Sequence, residues 1–178
     1  NGDKLVEHIT ITSPNFHFTF AEQDLVFDGQ GFIVTIKNVT NFKGLFQNGT
    51  DTTNGQDNIT IKNLGVLSTG TTTLASNGGW VCQSYFGRGA SNNKIENCYS
   101  EGAISGTYSG GICGLAYASN TMTVTITNCY STGNIVGTKS GGICGTASAY
   151  GNSATVNIIN CYSKGVTIGS QSGGICGT

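Results

Sequence analysis

A block of about 31 residues repeats through the second half of this 178-residue chain. Each copy carries the tetrapeptide Asn-Cys-Tyr-Ser, which begins at Asn97, Asn128 and Asn160. A second block, Ser-Gly-Gly-Ile-Cys-Gly, follows at the same distance from the tetrapeptide in every copy. A fixed period of this length is typical of solenoids and propellers, in which each repeat is one structural unit packed on its neighbours.

The length of the unit favours a solenoid over a propeller. A propeller blade needs four antiparallel strands in about 40 to 50 residues, with hairpin turns between them. A coil of about 31 residues instead holds two or three short strands joined by bends, and stacked coils place like residues about 4.8 Å apart. The sequence therefore predicts an all-β fold, a parallel β-helix in which identical residues form columns.

Alternating apolar and polar residues precede each repeated asparagine. When the copies are aligned on this asparagine, the residue two positions before it is apolar in every copy, and the residue one position before it is polar in most. This alternation indicates strands with one buried face. The apolar column is Ile36, Ile61, Ile95, Ile126 and Ile158. The asparagine column is Asn38, Asn63, Asn97, Asn128 and Asn160. We expect these amides to hydrogen-bond to one another at a bend, and we expect Asn38, as a member of this column, to be buried.

We predict a single domain over residues 1–178, with irregular N-terminal or capping coils in 1–77 and regular repeats in 78–178. The uneven spacing of Asn38, Asn63 and Asn97 indicates that the first coils differ in length. Two polar or small segments, Ala116 to Asn120 and Ala147 to Ala154, are expected to form one outward loop per coil. Because the chain ends directly after a repeat motif, we expect it to be a fragment of a longer array.

The chain has seven cysteines, which could form a metal site or disulfide bonds. No Cys-x-x-Cys pair occurs, so the spacing of a zinc site is missing and we predict no metal and no cofactor. We expect structural columns of free, buried thiols. The alternative, which applies if the protein is extracellular, is that some of these cysteines form disulfides. The two columns are Cys98, Cys129 and Cys161, and Cys82, Cys113, Cys144 and Cys176.

Composition excludes two classes of partner. Charged residues make up 10% of the chain, the net charge is −1, and the eight Lys and Arg residues are scattered, which argues against nucleic-acid binding. No apolar stretch reaches the length of a membrane span, so we expect no membrane insertion. Three Asn-x-Thr sequons, at Asn38, Asn48 and Asn58, would permit glycosylation in a secretory route.

The repeats resemble the GLUG-type motif of bacterial surface and secreted proteins, and its cysteine-bearing versions in giant-virus β-helix proteins. Residues 128–135, Asn-Cys-Tyr-Ser-Thr-Gly-Asn-Ile, carry the clearest copy, and the resemblance covers roughly residues 78–178. Residues 27–36 resemble the first coil of pectate-lyase-like β-helices. The resemblance implies right-handed coiling and a virion, cell-surface or extracellular location, with a role in surface display, adhesion or virion structure. It supplies no catalytic residues.

Tyr99, Tyr130 and Tyr162 are the candidate binding residues, because regularly spaced rings can stack on sugars or on an apolar protein surface. The alternative is that the rings only stabilise the sheet by stacking on one another. We predict a non-enzymatic structural or adhesive module. Its partners would be other coils of the array, other copies of the protein, or a surface glycan or protein.

The alternative function is a carbohydrate-active enzyme, a lyase or a hydrolase, or the binding module of such an enzyme. Glycosidases need two placed carboxylates, and lyases need a base with acidic metal ligands. Residues 102–178 contain no Asp or Glu, and the histidines are His8 and His17. His17 lies in an alternating Phe-rich segment and is expected on the polar side of a strand. The repeats therefore cannot supply this chemistry, and Asp28 is the carboxylate we would test first.

Overall fold

The computed structural model describes residues 2–151 and 153–177, and within them the chain forms strands, bends and turns without a helix. The strands are short, as expected for coils that turn every few residues at Asn or Gly. In chain order they are β1 Gly2–Lys4, β2 Ile9–Ile11, β3 Phe18–Thr19, β4 Val26–Asp28, β5 Ile33–Lys37, β6 Phe46–Gln47, β7 Thr60–Lys62, β8 Gly65–Thr69, β9 Asn93–Glu96, β10 Tyr99–Ser100, β11 Cys113–Ser119, β12 Thr123–Thr127, β13 Tyr130–Ser131, β14 Cys144–Tyr150, β15 Thr155–Ile159 and β16 Tyr162–Ser163.

All strand pairs of the described residues are parallel, and the strands build a β-solenoid of about five turns with three faces. The first sheet has the order β1-β4-β7-β9-β12-β15, and the second has the order β2-β5-β8-β10-β13-β16. The third face pairs β3 with β6 and β11 with β14, and single bridges through Cys82 connect these two pairs. The predicted all-β parallel solenoid is confirmed.

Like residues of successive coils lie in register, as the period predicts. In the first sheet, Ile61 pairs with Ile95, Ile95 with Ile126, and Ile126 with Ile158. Ile61, Ile95 and Ile126 have no exposed surface, whereas Thr125 beside Ile126 is half-buried on the outer face. Alternation along the strand therefore builds a continuous apolar core through the stack.

The core changes character along the solenoid. The early coils are filled by phenylalanines, with the rings of Phe27 and Phe46 4.7 Å apart and those of Phe18 and Phe46 5.3 Å apart. Trp80 marks the transition to the regular repeats, because its ring packs 5.9 Å from Phe42 and its Nε1 donates to Gly102 O at 3.0 Å. Later coils use Ile, Val, Ala and Cys, which fit where every coil repeats the same outline.

The first coils differ from the predicted alignment. Ile36 lies in β5 of the second sheet, where it pairs with Ile11 and Ser68, so it does not continue the column of Ile61. Phe27 of β4 takes that place. Asn38 is consequently outside the asparagine column and is exposed, contrary to the expected burial. Strands of both sheets end in the same pattern, which is an apolar residue, one further residue and an asparagine. The sequence pattern therefore could not show to which of the two sheets a strand belongs.

The predicted outward loops are also wrong in part. Residues 113–119 and 144–150 are strands β11 and β14, paired from Cys113↔Cys144 to Ser119↔Tyr150. Ala116 and Ala118 point into the core with no exposed surface. Small residues at every second position permit a buried strand as well as a loop, and the pairing decides between them. Residue 152, in the second predicted loop, lies outside the described residues.

Candidate functional site

The repeated asparagines form a row of amides at the bend between the first and second sheets. Asn97 donates from Nδ2 to Asn63 Oδ1, and Asn128 donates from Nδ2 to Asn97 Oδ1, both at 3.2 Å. Each has a φ between 53° and 56°, and so does Asn160. Asparagine tolerates this left-handed conformation better than other residues with a side chain. The row therefore holds the bend of one coil on the bend of the next.

The carboxylate of Asp28 begins this row, although Asp28 pairs with Lys62, one position before Asn63. Its Oδ1 accepts from Asn63 Nδ2 at 3.0 Å and from the Gln30 amide at 2.9 Å, and Lys62 Nζ lies 3.5 Å from Oδ2. The Gln30 amide first, then Asn63 and the charge of Lys62, lower the pKa of Asp28 below its usual value. Its carboxylate is thus held ionised by the turn that it caps.

Asp28 should make the stability of the protein pH-dependent. Because its pKa is lower in the folded than in the unfolded state, its contribution is fully present above the unfolded pKa and is lost as pH falls through the folded pKa, below about 4. We expect the stability difference between wild type and Asp28→Asn to shrink over that range. Urea unfolding at a series of pH values measures this difference, and an unchanged difference at low pH would contradict the assignment.

A second amide row, at the other end of the first sheet, was missed from sequence. Asn58 Nδ2 donates to Asp24 Oδ1 at 2.6 Å, and Asn92 Nδ2 donates to Asn58 Oδ1 at 3.2 Å. All three residues have positive φ. They are equally spaced along the chain, at the same interval as the paired strands β4, β7 and β9, which was the signal available in the sequence. Asp24 therefore accepts a hydrogen bond that stabilises a turn, as Asp28 does.

Cysteines of successive coils are in register on the third face, where Cys82 bridges Cys113, Cys113 pairs with Cys144, and Cys144 bridges Cys176. All seven thiols of the chain are free, and five are buried. In the other column, Cys129 Sγ donates to Thr127 O at 3.2 Å. Burial raises the pKa of Cys82 and Cys113. Protonated, inaccessible thiols pack as small apolar groups and are poor nucleophiles or metal ligands.

The three predicted binding tyrosines form one stack. The rings of Tyr99 and Tyr130 and those of Tyr130 and Tyr162 are 5.1 Å apart at an interplanar angle of 5°. At one end Tyr99 lies directly over Gly65, where an added Cβ would meet its ring at 2.4 Å. At the other end Lys164 Nζ lies 5.6 Å from the centroid of Tyr162. The ring faces are therefore engaged within the protein, while Tyr99 and Tyr130 are half-buried and Tyr162 is exposed.

A second aromatic group, on the third face, was not found from sequence. Tyr117 lies 6.0 Å from Tyr85 and 5.6 Å from Tyr150. The guanidinium of Arg88 lies 5.6 Å from the ring centroids of both Tyr85 and Tyr117. The three tyrosines recur at nearly the interval of the repeat, which was the available signal, but they fall in segments that were interpreted as loops or left unassigned.

Two clefts lie on either side of Gly49–Thr50, and Tyr85 of the aromatic group lines the larger one. The larger holds about 370 Å³ and reaches from Lys43 to Tyr85, and the smaller holds about 300 Å³. Gln47, Gly49 and Thr50 line both. Volumes of this size lie within the range that accommodates small ligands.

The loop that separates the clefts is held by Asn48. Its Oδ1 accepts from the Gln56 amide at 2.7 Å, its Nδ2 donates to Gln56 O at 3.0 Å, and it also donates to Asn93 Oδ1 at 3.2 Å. Asn48 is 3% exposed, so this sequon is closed to a glycosylating enzyme. The Asn38 sequon is exposed instead, with Oδ1 accepting from the Thr71 amide at 3.3 Å. The loop therefore presents fixed walls to both clefts.

Two features are absent from residues 2–151 and 153–177. No group of three or more His, Cys, Asp or Glu side chains is placed to hold a metal ion. The same residues form no helix long and apolar enough to cross a lipid bilayer.

The candidate site therefore has two parts, which are the tyrosine stack on the second sheet and the two polar clefts on either side of Gly49–Thr50, the larger of them lined by Tyr85. Comparison with known protein families, curated proteins and solved structures returns no match to this chain.

Proposed function

We propose that the protein is a non-catalytic structural and adhesive module of a virion or cell surface. Its repeats resemble GLUG-type, cysteine-bearing coils, and the two cysteine columns would serve to pack the core. The partners would be other coils of the same kind, other copies of the protein, or a glycan or protein on an opposing surface.

One observation supports this proposal most strongly: the residues that repeat are occupied in holding coil to coil. Asn97 and Asn128 bond to the coil before them, Tyr130 stacks between two other tyrosines, and Cys113 and Cys144 are buried in register. A sequence that repeats its contacts in this way builds a rod, and a rod offers surface area on its sides.

The carboxylates also favour a structural role. Asp28 accepts hydrogen bonds from Gln30 and Asn63, Asp24 from Asn58, and Asp57 from the Ser91 amide at 2.6 Å. Each of these acids thereby stabilises a turn between coils. A hydrolase would need a pair of carboxyl groups separated by about 5 to 10 Å across a substrate.

A degradation screen distinguishes this module from the alternative, a carbohydrate-active lyase or hydrolase. The protein is incubated with plant and microbial polysaccharides, and reducing ends and unsaturated products are measured. We expect no product above the buffer control, together with retention of the folded protein on at least one immobilised glycan or protein surface. Turnover that disappears in a folded Asp28→Ala variant would refute the non-catalytic proposal.

The tyrosine stack gives a separate prediction. Tyr130→Ala should lower the free energy of unfolding by about 1–2 kcal/mol, because the half-buried ring stabilises two neighbouring coils. Tyr130→Phe keeps the ring and should stay within about 0.5 kcal/mol of wild type. Chemical denaturation monitored by circular dichroism measures both. Equal loss in the two variants would mean that the hydroxyl group, rather than the stack, stabilises the fold.

A further inference from the structure

We infer that the larger cleft of the third face is a binding site for a short neutral oligosaccharide, with Tyr85 as its aromatic wall. This inference rests on the proposed function, since it names the class of ligand that an adhesive module would hold. It places that ligand away from the Tyr99, Tyr130 and Tyr162 stack.

The lining of the cleft matches the chemistry of sugars. Amides and hydroxyls dominate it, including Gln47, Thr50, Gln83 and Ser84. Such groups both donate and accept hydrogen bonds, as sugar hydroxyl groups do. The ionisable side chains besides Tyr85 are Lys43 and Asp51, whose opposite charges balance. A neutral, hydroxyl-rich ligand therefore fits better than an anion or an apolar molecule.

Part of this polar lining is positioned in advance. Gln83 is 7% exposed, its Nε2 donates to Gly44 O at 3.1 Å, and its Oε1 accepts from Gln47 Nε2 at 3.1 Å. These bonds involve Gln47 Nε2 and both polar atoms of Gln83, and they hold the two amides in fixed orientations. Asn48 holds the loop that brings Gly49 and Thr50 to the cleft through its two bonds to Gln56. A site whose polar groups are already ordered loses less entropy when it binds a ligand.

Tyr85 supplies the aromatic component. Its backbone has a φ of 63°, which is unfavourable for a bulky residue and costs on the order of 1–3 kcal/mol. Most other side-chain-bearing residues with positive φ in this chain are asparagines. Tyr85 lines the cleft in this strained conformation, with the guanidinium of Arg88 5.6 Å from its ring centroid. Aromatic side chains beside polar groups are suited to the apolar C–H face and hydroxyl edge of a pyranose.

A matched pair of variants tests the site. Tyr85→Asn removes the ring but keeps a residue that tolerates positive φ. Tyr108→Asn is the control, because Tyr108 also has positive φ, at 56°, and also contacts a cation, Lys139, but does not line the cleft. Circular dichroism and denaturation establish that both variants are folded before binding is measured.

The probes are cellotriose, mannotriose and triacetylchitotriose, each titrated into ¹⁵N-labelled protein. With at least one of them we expect amide shifts at Gln47, Gln83 and Tyr85. Affinity should fall at least about tenfold in Tyr85→Asn and stay within about twofold of wild type in Tyr108→Asn. The inference is overturned if none of the three sugars binds, or if Tyr85→Asn binds as wild type does.

Other outcomes separate this inference from the proposed function. Sugar-induced shifts confined to Tyr99, Tyr130 and Tyr162 would overturn the cleft assignment and leave the adhesive function standing. Cleavage of any of the three sugars by the folded protein would overturn the non-catalytic function itself.

Discussion

Replacing Trp80 with alanine should lower the free energy of unfolding by about 4 kcal/mol. Trp80 has no exposed surface, its ring packs against Phe42, and its Nε1 donates to Gly102 O. The substitution leaves a large cavity where the phenylalanine-filled coils meet the regular ones, and it leaves the Gly102 carbonyl unpaired. Urea denaturation measures the loss. It is followed by circular dichroism rather than by tryptophan fluorescence, because Trp80 is the single tryptophan of the chain and the variant lacks it.

Trp80→Phe is the control for this cavity. A phenyl ring retains much of the apolar contact with Phe42 and loses the hydrogen bond, so we expect a cost of about 1–2 kcal/mol. If Trp80→Ala costs less than about 1 kcal/mol, the ring does not pack between these coils as described.

Gly142→Ala should destabilise the protein by about 3 kcal/mol, because it forces two stacked coils apart. A Cβ on Gly142 would lie 2.1 Å from Gly174 O and 2.4 Å from Ser163 Cβ, both in the following coil. The obstacle includes backbone, which cannot rotate away as a flexible side chain could. Chemical denaturation of the variant gives the free energy directly.

Gly111→Ala is a second test of the same contact, because Gly111 holds this motif position one repeat earlier. An added Cβ there would meet Gly142 O and Ser131 Cβ of the following coil. We expect a loss similar to that of Gly142→Ala. A cost below about 1 kcal/mol in both variants would show that neighbouring coils do not approach closely at this motif.

Much of the fold could be predicted from the sequence because the repeat and the alternation point the same way. The spacing of Ile95, Ile126 and Ile158 fixes the length of each coil, and their alternation with polar residues fixes the buried face. The order of the first coils could not be fixed in this way. Ile36-Lys37-Asn38 and Ile61-Lys62-Asn63 share one local pattern, but they end strands of different sheets.

The candidate site was less predictable than the fold. The stack of Tyr99, Tyr130 and Tyr162 could be anticipated as a column, but the covering of its ends by Gly65 and Lys164 depends on contacts between coils. The clefts depend on a loop that interrupts the period. Asn48 holds that loop through contacts to Gln56 and Asn93, and no local pattern indicates this network.

Nuclear Overhauser contacts between backbone protons test most directly whether successive coils stack in parallel. We predict interstrand contacts linking Ile95 to the strand of Ile126, and Ile126 to the strand of Ile158, in the slanted pattern of parallel strands. Close Hα–Hα contacts between neighbouring strands within one repeat, the mark of antiparallel hairpins in a propeller blade, would contradict parallel stacking.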